Sequence, residues 1–196
     1  MAESVLVMPP VGALISISSL KDHLRVSGPD DDQLISDIGA AATAWIDGGN
    51  GVLGRALITQ TWALHLDAAP VSDVILPVPP VQAIESVTFL DADGATQTFD
   101  SENYRLVPRG DDAVLELVQG ASWPPLAMRK RALTITYRTG YGDIETDVPA
   151  LIRHAIKLMC GHWYDQRSAV TPDTLEQAPL SVQSLLMNYR TARGLF

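Results

Sequence analysis

The spacing of apolar residues changes twice along this chain, and the change limits the folds that the chain can adopt. Residues 31–47 repeat apolar side chains at helical spacing, and residues 149–167 do the same. Between them, residues 56–66 alternate in the manner of a strand with two different faces. The order of helices, then strands, then helices predicts an α+β protein. We expect a helical bundle, made of N-terminal helices and a long C-terminal helix, with an inserted antiparallel β-rich part.

Turn signals divide the β-rich part, residues 56–138, into several strands. Residues 91–95 (Asp-Ala-Asp-Gly-Ala) separate two β-prone runs, and residues 109–112 (Arg-Gly-Asp-Asp) separate two more, so two hairpins are predicted. Residues 133–138 contain three consecutive β-branched side chains and form the clearest predicted strand. The proline-rich run 74–81 is predicted to be an edge strand or an extended connector, because proline cannot donate to a ladder.

The N-terminal part is predicted to be extended over residues 1–15, where prolines interrupt it, and then helical. A short helix is expected over 19–26. A longer helix over 31–47 begins beside an aspartate run that suits a helix N-terminus, and glycines after residue 47 end it.

Two amphipathic helices close the chain, a long one over 149–167 and a short one over about 180–190, joined by a polar loop. We therefore expect one domain over 1–167, comprising helices within 19–47, the β-rich part and the long helix. Residues 168–196 are expected to be a linker and a C-terminal docking helix. The long helix has an apolar stripe of Leu151, Ile152, Ala155, Ile156, Met159 and Trp163. The short helix has a stripe of Leu180, Val182, Leu185, Leu186 and Tyr189, followed by Arg190.

Composition narrows the functional classes. The chain has 196 residues, 46% hydrophobic and 19% charged, which is typical of a globular protein. Its formal net charge is −9, whereas a free-standing DNA-binding protein normally has a basic surplus. Residues 1–128 hold 17 acids and 5 bases, and residues 129–196 hold 6 acids and 9 bases. This asymmetry indicates either two faces that meet different partners or a random scatter of solvated charges.

The single cysteine and the N-terminal sequence indicate the cellular compartment in which the protein is made. Cys160 is alone, so it cannot form a disulfide within the chain, and its place in the long predicted helix favours a buried, inert thiol. The first residues lack the basic and apolar regions of a signal peptide, and no run approaches the ~20 apolar residues of a membrane span. We expect a soluble protein, made in a reducing cytoplasm, that has no membrane partner.

The motifs of the chain do not predict catalysis. Residues 49–54 spell G-x-G-x-x-G, but a helix precedes them and a strand follows, which is the reverse of a dinucleotide site. Residues 91–95 and Asp111-Asp112 lack the spacing of a calcium loop and are better explained as turns. His154 and His162 are about two helical turns apart, too far to share one metal ion. We expect no catalytic residue, no cofactor and no metal.

One basic cluster, Arg129-Lys130-Arg131, precedes the strand at 133–138. It is suited to contact DNA or an acidic partner. It is equally well explained as an exposed loop or as the charged guard of an edge strand.

Several landmarks occur together in a fixed order. They are Ser-Leu-Lys-Asp-His-Leu-Arg-Val at 19–26, Asp-Asp-Gln-Leu-Ile at 31–35, Gly-Arg-Ala-Leu-Ile-Thr-Gln-Thr-Trp at 54–62, Thr-Gly-Tyr-Gly at 139–142, and Trp-Tyr-Asp-Gln-Arg at 163–167. Through this combination, residues 16–190 resemble the head–tail connector (adaptor) proteins of tailed phages and of phage-derived gene transfer agents.

The resemblance implies a structural protein that forms a ring, typically of twelve copies, beneath the portal protein. Such a ring lengthens the DNA channel and joins the capsid to the tail through the next connector (stopper) or tail terminator. It also implies portal docking by the terminal helix, for which the candidates are Leu180, Val182, Leu185, Leu186, Tyr189 and Arg190. The alternative is that this helix packs only on its own core. Ring packing is expected through the 149–167 and 31–47 helices, with Leu151, Ile152, Ala155, Ile156, Met159 and Trp163 as the candidates.

The acidic charge agrees with a channel through which DNA passes without sequence-specific binding, because each phosphate contact would add drag.

The expected location is the bacterial cytoplasm during assembly and then the head–tail junction of a particle. Two other functions remain open, another tail-junction component such as a tail terminator, and a small enzyme or ligand-binding domain.

Overall fold

The structure, a computed structural model, describes residues 2–166 and 179–191. Its contacts divide the chain into two compact units, each assembled from segments that are distant in sequence. The β unit comprises Met1–Pro10 and Thr59–Tyr141, and the helical unit comprises Val11–Ile58 and Gly142–Phe196.

In its described residues the helical unit contains four α-helices, in which α3 packs against each of the other three. They are α1 (Ile17–Leu24), α2 (Asp32–Ile46), α3 (Ala150–Asp165) and α4 (Leu180–Leu186). Apolar residues spaced three and four apart supply the core, because that spacing places them on one helical face. Its fully buried members include Leu20, Ile35, Ala42, Ile46, Ile152 and Ile156.

The first helix has well-defined ends. The Ser16 side chain accepts a hydrogen bond from the Ser19 N–H, which satisfies a free donor at the N-terminus of α1. Arg25 ends the helix in the left-handed conformation, at φ 57°. Gly39 lets α1 approach α2 closely, since a Cβ atom at that position would lie 2.6 Å from Cδ1 of Leu20.

The glycine-rich segment after α2 forms a loop that closes back on the helix end, as its sequence predicts. Gly48 N–H donates to Arg55 O at 2.8 Å, and Leu57 N–H donates to the Asp47 carboxylate at 2.7 Å. Residues 56–58 are consequently buried in the helical unit. The prediction that a strand begins at residue 56 is wrong, and the strand begins at Gln60.

The β unit contains two antiparallel sheets in the described residues. Its strands are β1 (Ala2–Met8), β2 (Gln60–Leu66), β3 (Val74–Leu76), β4 (Val81–Leu90), β5 (Thr96–Thr98), β6 (Tyr104–Arg109), β7 (Asp112–Leu117) and β8 (Leu133–Thr139). One sheet has the order β1-β2-β8-β4-β5, and the other has the order β3-β7-β6. The two predicted hairpins are present as β4–β5 and β6–β7. The proline-rich run, predicted to be an edge strand or an extended connector, supplies the edge strand β3 in its first three residues.

The central strand β8 shows how the β unit obtains its core. Leu133, Ile135 and Tyr137 are fully buried, and the residues between them face the other side of the sheet. The Tyr137 hydroxyl donates to Pro77 O at 2.9 Å, and the Thr139 hydroxyl donates to Pro80 O at 2.7 Å. These partly buried hydrogen bonds fix the proline-rich segment to β8.

The predicted architecture, a helical bundle with a long C-terminal helix and an inserted β-rich part, is wrong. The helices in the described residues are short, and the longest of them, α3, has 16 residues and ends at Asp165, before the predicted residue 167. The strands form two sheets with buried residues of their own. The larger sheet includes β1 from the N-terminus, which pairs with β2 across more than fifty residues of sequence. The predicted linker 168–179 lies outside the described residues, apart from Pro179.

Candidate interaction surfaces

The α4 helix presents two different faces. Val182 and Leu186, both in the predicted portal-docking set, are buried in the helical unit, where α4 packs on α3. Leu185, Tyr189 and Arg190 are partly exposed, whereas Leu180 is 80% exposed. The predicted stripe therefore lies partly in the core of the unit and partly on its surface.

Met187 belongs to the exposed face of the α4 segment but is missing from the predicted set. It is 72% exposed and follows Leu180 by seven residues, which places both side chains on one side of a helical segment. The spacing of these two residues was a visible signal. The predicted stripe instead combined Leu180 with Val182, Leu185, Leu186 and Tyr189, because the sequence does not show which face of the helix packs on the rest of the unit.

The stripe predicted for ring packing lies mainly inside the helical unit. Ile152, Ala155, Ile156 and Met159 are buried, and Trp163 is partly exposed. Leu151 is 45% exposed and is the most accessible of the set. Ring packing through this stripe stays a prediction, and the positions accessible to a neighbouring copy are Leu151 and Trp163.

The basic cluster is tied into the β unit at one of its three positions. The Arg131 guanidinium donates to the Glu3 carboxylate of β1 at 2.7 and 3.0 Å, and the Arg131 N–H donates to the Asp67 carboxylate at 3.0 Å. This backbone hydrogen bond is the main reason that the pKa of Asp67 is lowered. Arg129 and Lys130 are exposed. The cluster thus fastens the start of β1 and leaves two cations on the surface.

The aspartate motif is a hairpin turn. The Asp91 carboxylate accepts hydrogen bonds from the Gln97 side chain and from the N–H groups of Asp93 and Ala95. These hydrogen bonds, with Gln97 as the largest contributor, lower the pKa of Asp91. Gly94 takes φ +83°, a conformation that favours glycine. The carboxylate is therefore used to shape the β4–β5 turn.

Within 2–166 and 179–191, no group of three or more His, Cys, Asp or Glu side chains is arranged to hold a metal ion. None of the helices described here has the length and apolar character needed to cross a membrane.

The chain is similar to known proteins in both sequence and fold. The sequence model described as "HCP: Head completion protein" matches residues 13–192, which is nearly the whole chain. The chain belongs to the head completion protein family. This membership confirms the resemblance to head–tail connectors of phage-like particles and makes the chain a structural component of the head–tail junction. No curated protein matches the sequence.

Solved structures share the fold of this head completion family member over its full length. A chain of "Virion of native gene transfer agent (GTA) particle" is 25% identical with a TM-score of 0.78, covering 98% of this chain and 97% of that one. A chain of "Neck of empty GTA particle computed with C6 symmetry" is 23% identical with a TM-score of 0.75, covering 100% and 97%. A chain of "Neck of native GTA particle computed with C12 symmetry" is 21% identical with a TM-score of 0.67, covering 97% and 98%.

Proposed function

We propose that this chain is a head–tail adaptor that forms a ring, typically of twelve copies, between the portal protein and the next neck component. The observation that carries the proposal is the match to the head completion family over residues 13–192. The full-length likeness to a chain of a gene transfer agent virion supports it, and so do the C6 and C12 symmetries named for the similar necks. The role is structural: the ring extends the DNA channel and provides a platform for the tail.

The terminal helical segment is the proposed contact with the portal protein. Val182 and Leu186 anchor α4 to α3, so they hold the segment in place. Leu180 and Met187 point away from this core and offer two large apolar side chains to a partner. A helix that presents apolar anchors at this spacing suits a groove on another protein. Leu185, Tyr189 and Arg190, which are partly exposed, complete the proposed docking surface.

The charge of the chain suits the proposed channel. With a formal net charge of −9 per copy, a ring accumulates negative charge and repels the phosphate backbone. DNA then passes without sequence-specific binding. A ring whose lumen is lined mainly by arginine and lysine would contradict this part of the proposal.

Electron microscopy of particles from a strain that carries a tagged copy tests the adaptor role. We expect the tag at the neck, directly below the portal protein. Pull-down with purified portal protein and with purified tail tube protein separates the adaptor from a tail terminator. Capture by the portal protein supports the adaptor, whereas exclusive capture by the tail tube protein refutes it.

A further inference from the structure

The connection between β7 and β8 in the β unit is unusually long for an ordered loop. It runs over residues 118–132 and contains neither a helix nor a strand. Loops of about this length without secondary structure are uncommon in compact domains, and the ordered ones are usually functional. The loop between β7 and β8 is therefore a place to look for a contact with another molecule.

Hydrogen bonds hold the second half of this loop against the larger sheet. Ala127 N–H donates to Leu90 O at 2.8 Å, and Leu90 N–H donates to Ala132 O at 2.9 Å. Near the end of the loop, Arg131 is bound to two carboxylates, as described above. Between these attachments residues 128–130 are exposed, and Met128 is fully so. The loop thus presents a fixed surface that requires little ordering when a partner binds.

The same loop lines an open groove of about 600 Å³ together with residues 67–69, which follow β2. Apolar side chains supply most of the lining, and they include Ala68, Ala69, Pro124, Pro125, Leu126 and Met128. Such a lining favours an apolar side chain of a ligand, because its burial removes apolar surface from water on both molecules.

Two cations complete the lining of the groove, Arg129 and Lys130. Both are exposed, and neither forms an ion pair within the described residues. The groove also contains one acid, Asp67, but its carboxylate already accepts the Arg131 N–H at 3.0 Å. The groove is therefore cationic at one end, although the chain as a whole has a formal net charge of −9.

We propose that this groove binds an acidic segment of a neighbouring neck protein. An apolar side chain of the segment packs against Pro124, Pro125 and Leu126, and its carboxylates lie at Arg129 and Lys130. The proposal rests on the adaptor function proposed above, which requires contacts with more than one partner. It adds a surface on the β unit that is separate from the α4 segment.

The composition of the groove favours a protein segment over DNA as its occupant. DNA-binding surfaces gain affinity by neutralising several phosphates, and this groove has only two cations available for that purpose. Its apolar lining offers nothing to a phosphate backbone. An acidic segment with an apolar side chain uses both features. Exposed ion pairs add little affinity by themselves, so the charges mainly select the segment and the apolar contact retains it.

Photo-cross-linking in particles tests the occupant. A photoreactive amino acid replaces Met128, whose exposed side chain makes the substitution compatible with folding. Mass spectrometry should find it linked to another neck protein, at a segment that contains aspartate or glutamate beside the linked residue. The same amino acid in place of Val11, which is 91% exposed in the helical unit, is the control and should not give that linked peptide.

A pair of double variants tests the role of charge in the same particles. Arg129→Glu with Lys130→Glu should lower the amount of linked peptide per particle roughly tenfold, because the reversed charges repel the segment. The melting temperature of the purified protein should stay the same, since both side chains are exposed. Arg129→Lys with Lys130→Arg preserves both charges and should preserve the linked peptide.

The outcomes separate the groove from the adaptor function. Links only to DNA, only to a second copy of this chain or only to a segment without acidic residues overturn the proposal. No link at all overturns it too, and so does an unchanged amount of linked peptide after charge reversal. If the unaltered chain is absent from particle necks, the adaptor function itself fails. A chain that is present in necks but gives no link contradicts the groove alone.

Discussion

His23 of α1 and His154 of α3 lie edge to face, with ring centroids 6.1 Å apart and ring planes at 89°. Lys157 lies one turn further along α3, and its ammonium group donates to the Ser19 hydroxyl of α1 at 2.7 Å. Burial, then the nearby His154, then Lys157 lower the pKa of His23 below its ordinary value of 6.5. Charging His23 therefore opposes the contact between α1 and α3.

This pair predicts a pH dependence of stability. Because the pKa of His23 is lowered on folding, the unfolded chain binds more protons as the pH falls through about 6.5. The free energy of unfolding should consequently decrease below that pH, until His23 is charged in the folded state as well. The decrease should be small, because His23 is an exposed residue of the folded protein. Urea unfolding at about pH 7.5 and about pH 5.5 measures it.

Two substitutions test whether His23 causes this decrease in the free energy of unfolding. His23→Gln should remove part of the decrease, and His162→Gln, at the other end of α3, should retain it. His65 in the β unit contributes a separate part in the same direction, since burial and then Arg131 lower its pKa. A His23→Gln protein with the same pH dependence as the parent would show that charging His23 does not affect folding.

The docking surface predicts an assembly defect without a folding defect. Leu180→Asp and Met187→Asp each place a charge on the exposed apolar face, so neither should change the melting temperature by more than about 2 °C. Both should weaken capture by purified portal protein at least tenfold, because a desolvated carboxylate opposes an apolar contact. Ser181→Asp, also exposed on α4, is the matched control and should be captured normally.

The buried stripe of α3 predicts a clear ranking of stability. Ile156→Ala should lower the free energy of unfolding by about 2–5 kcal/mol, because it leaves a cavity in a fully buried site. Leu151→Ala, at a site 45% exposed, should cost less than about 1 kcal/mol. Urea titrations of the two variants check the ranking. Equal losses would mean that Leu151 is packed as tightly as Ile156.

Local sequence patterns predicted most of the elements. The Asp91–Gly94 turn and the apolar spacing of α2 and α3 act over a few residues, so the sequence alone reveals them. The glycines that follow α2 are informative for the same reason, since their turns satisfy backbone groups close to them. The aspartates mark the start of α2, but the Asp31 side chain makes no capping hydrogen bond there.

Features that depend on distant partners could not be predicted in the same way. β1 lacks a buried face, so its residues show no contrast that marks a strand, and its pairing with β2 is not local. Residues 56–58 alternate like a strand but are buried beside the end of α2. In α4 the stripe was visible, but only the packing on α3 shows that Val182 and Leu186 are covered and Leu180 is not.

The burial of Cys160 predicts slow reaction of the folded helical unit with alkylating reagents. Its side chain is buried in α3, and burial raises the pKa of the thiol to about 11. Since the thiolate is the reactive form, iodoacetamide at about pH 8 should modify the folded protein very slowly and the urea-unfolded protein rapidly. Val71→Cys adds an exposed thiol as an internal standard and should take up one equivalent quickly. If Cys160 reacts as fast as that standard, the face of α3 that carries Cys160 is not buried in solution. If Cys160 reacts slowly, its rate of modification measures how often the helical unit opens.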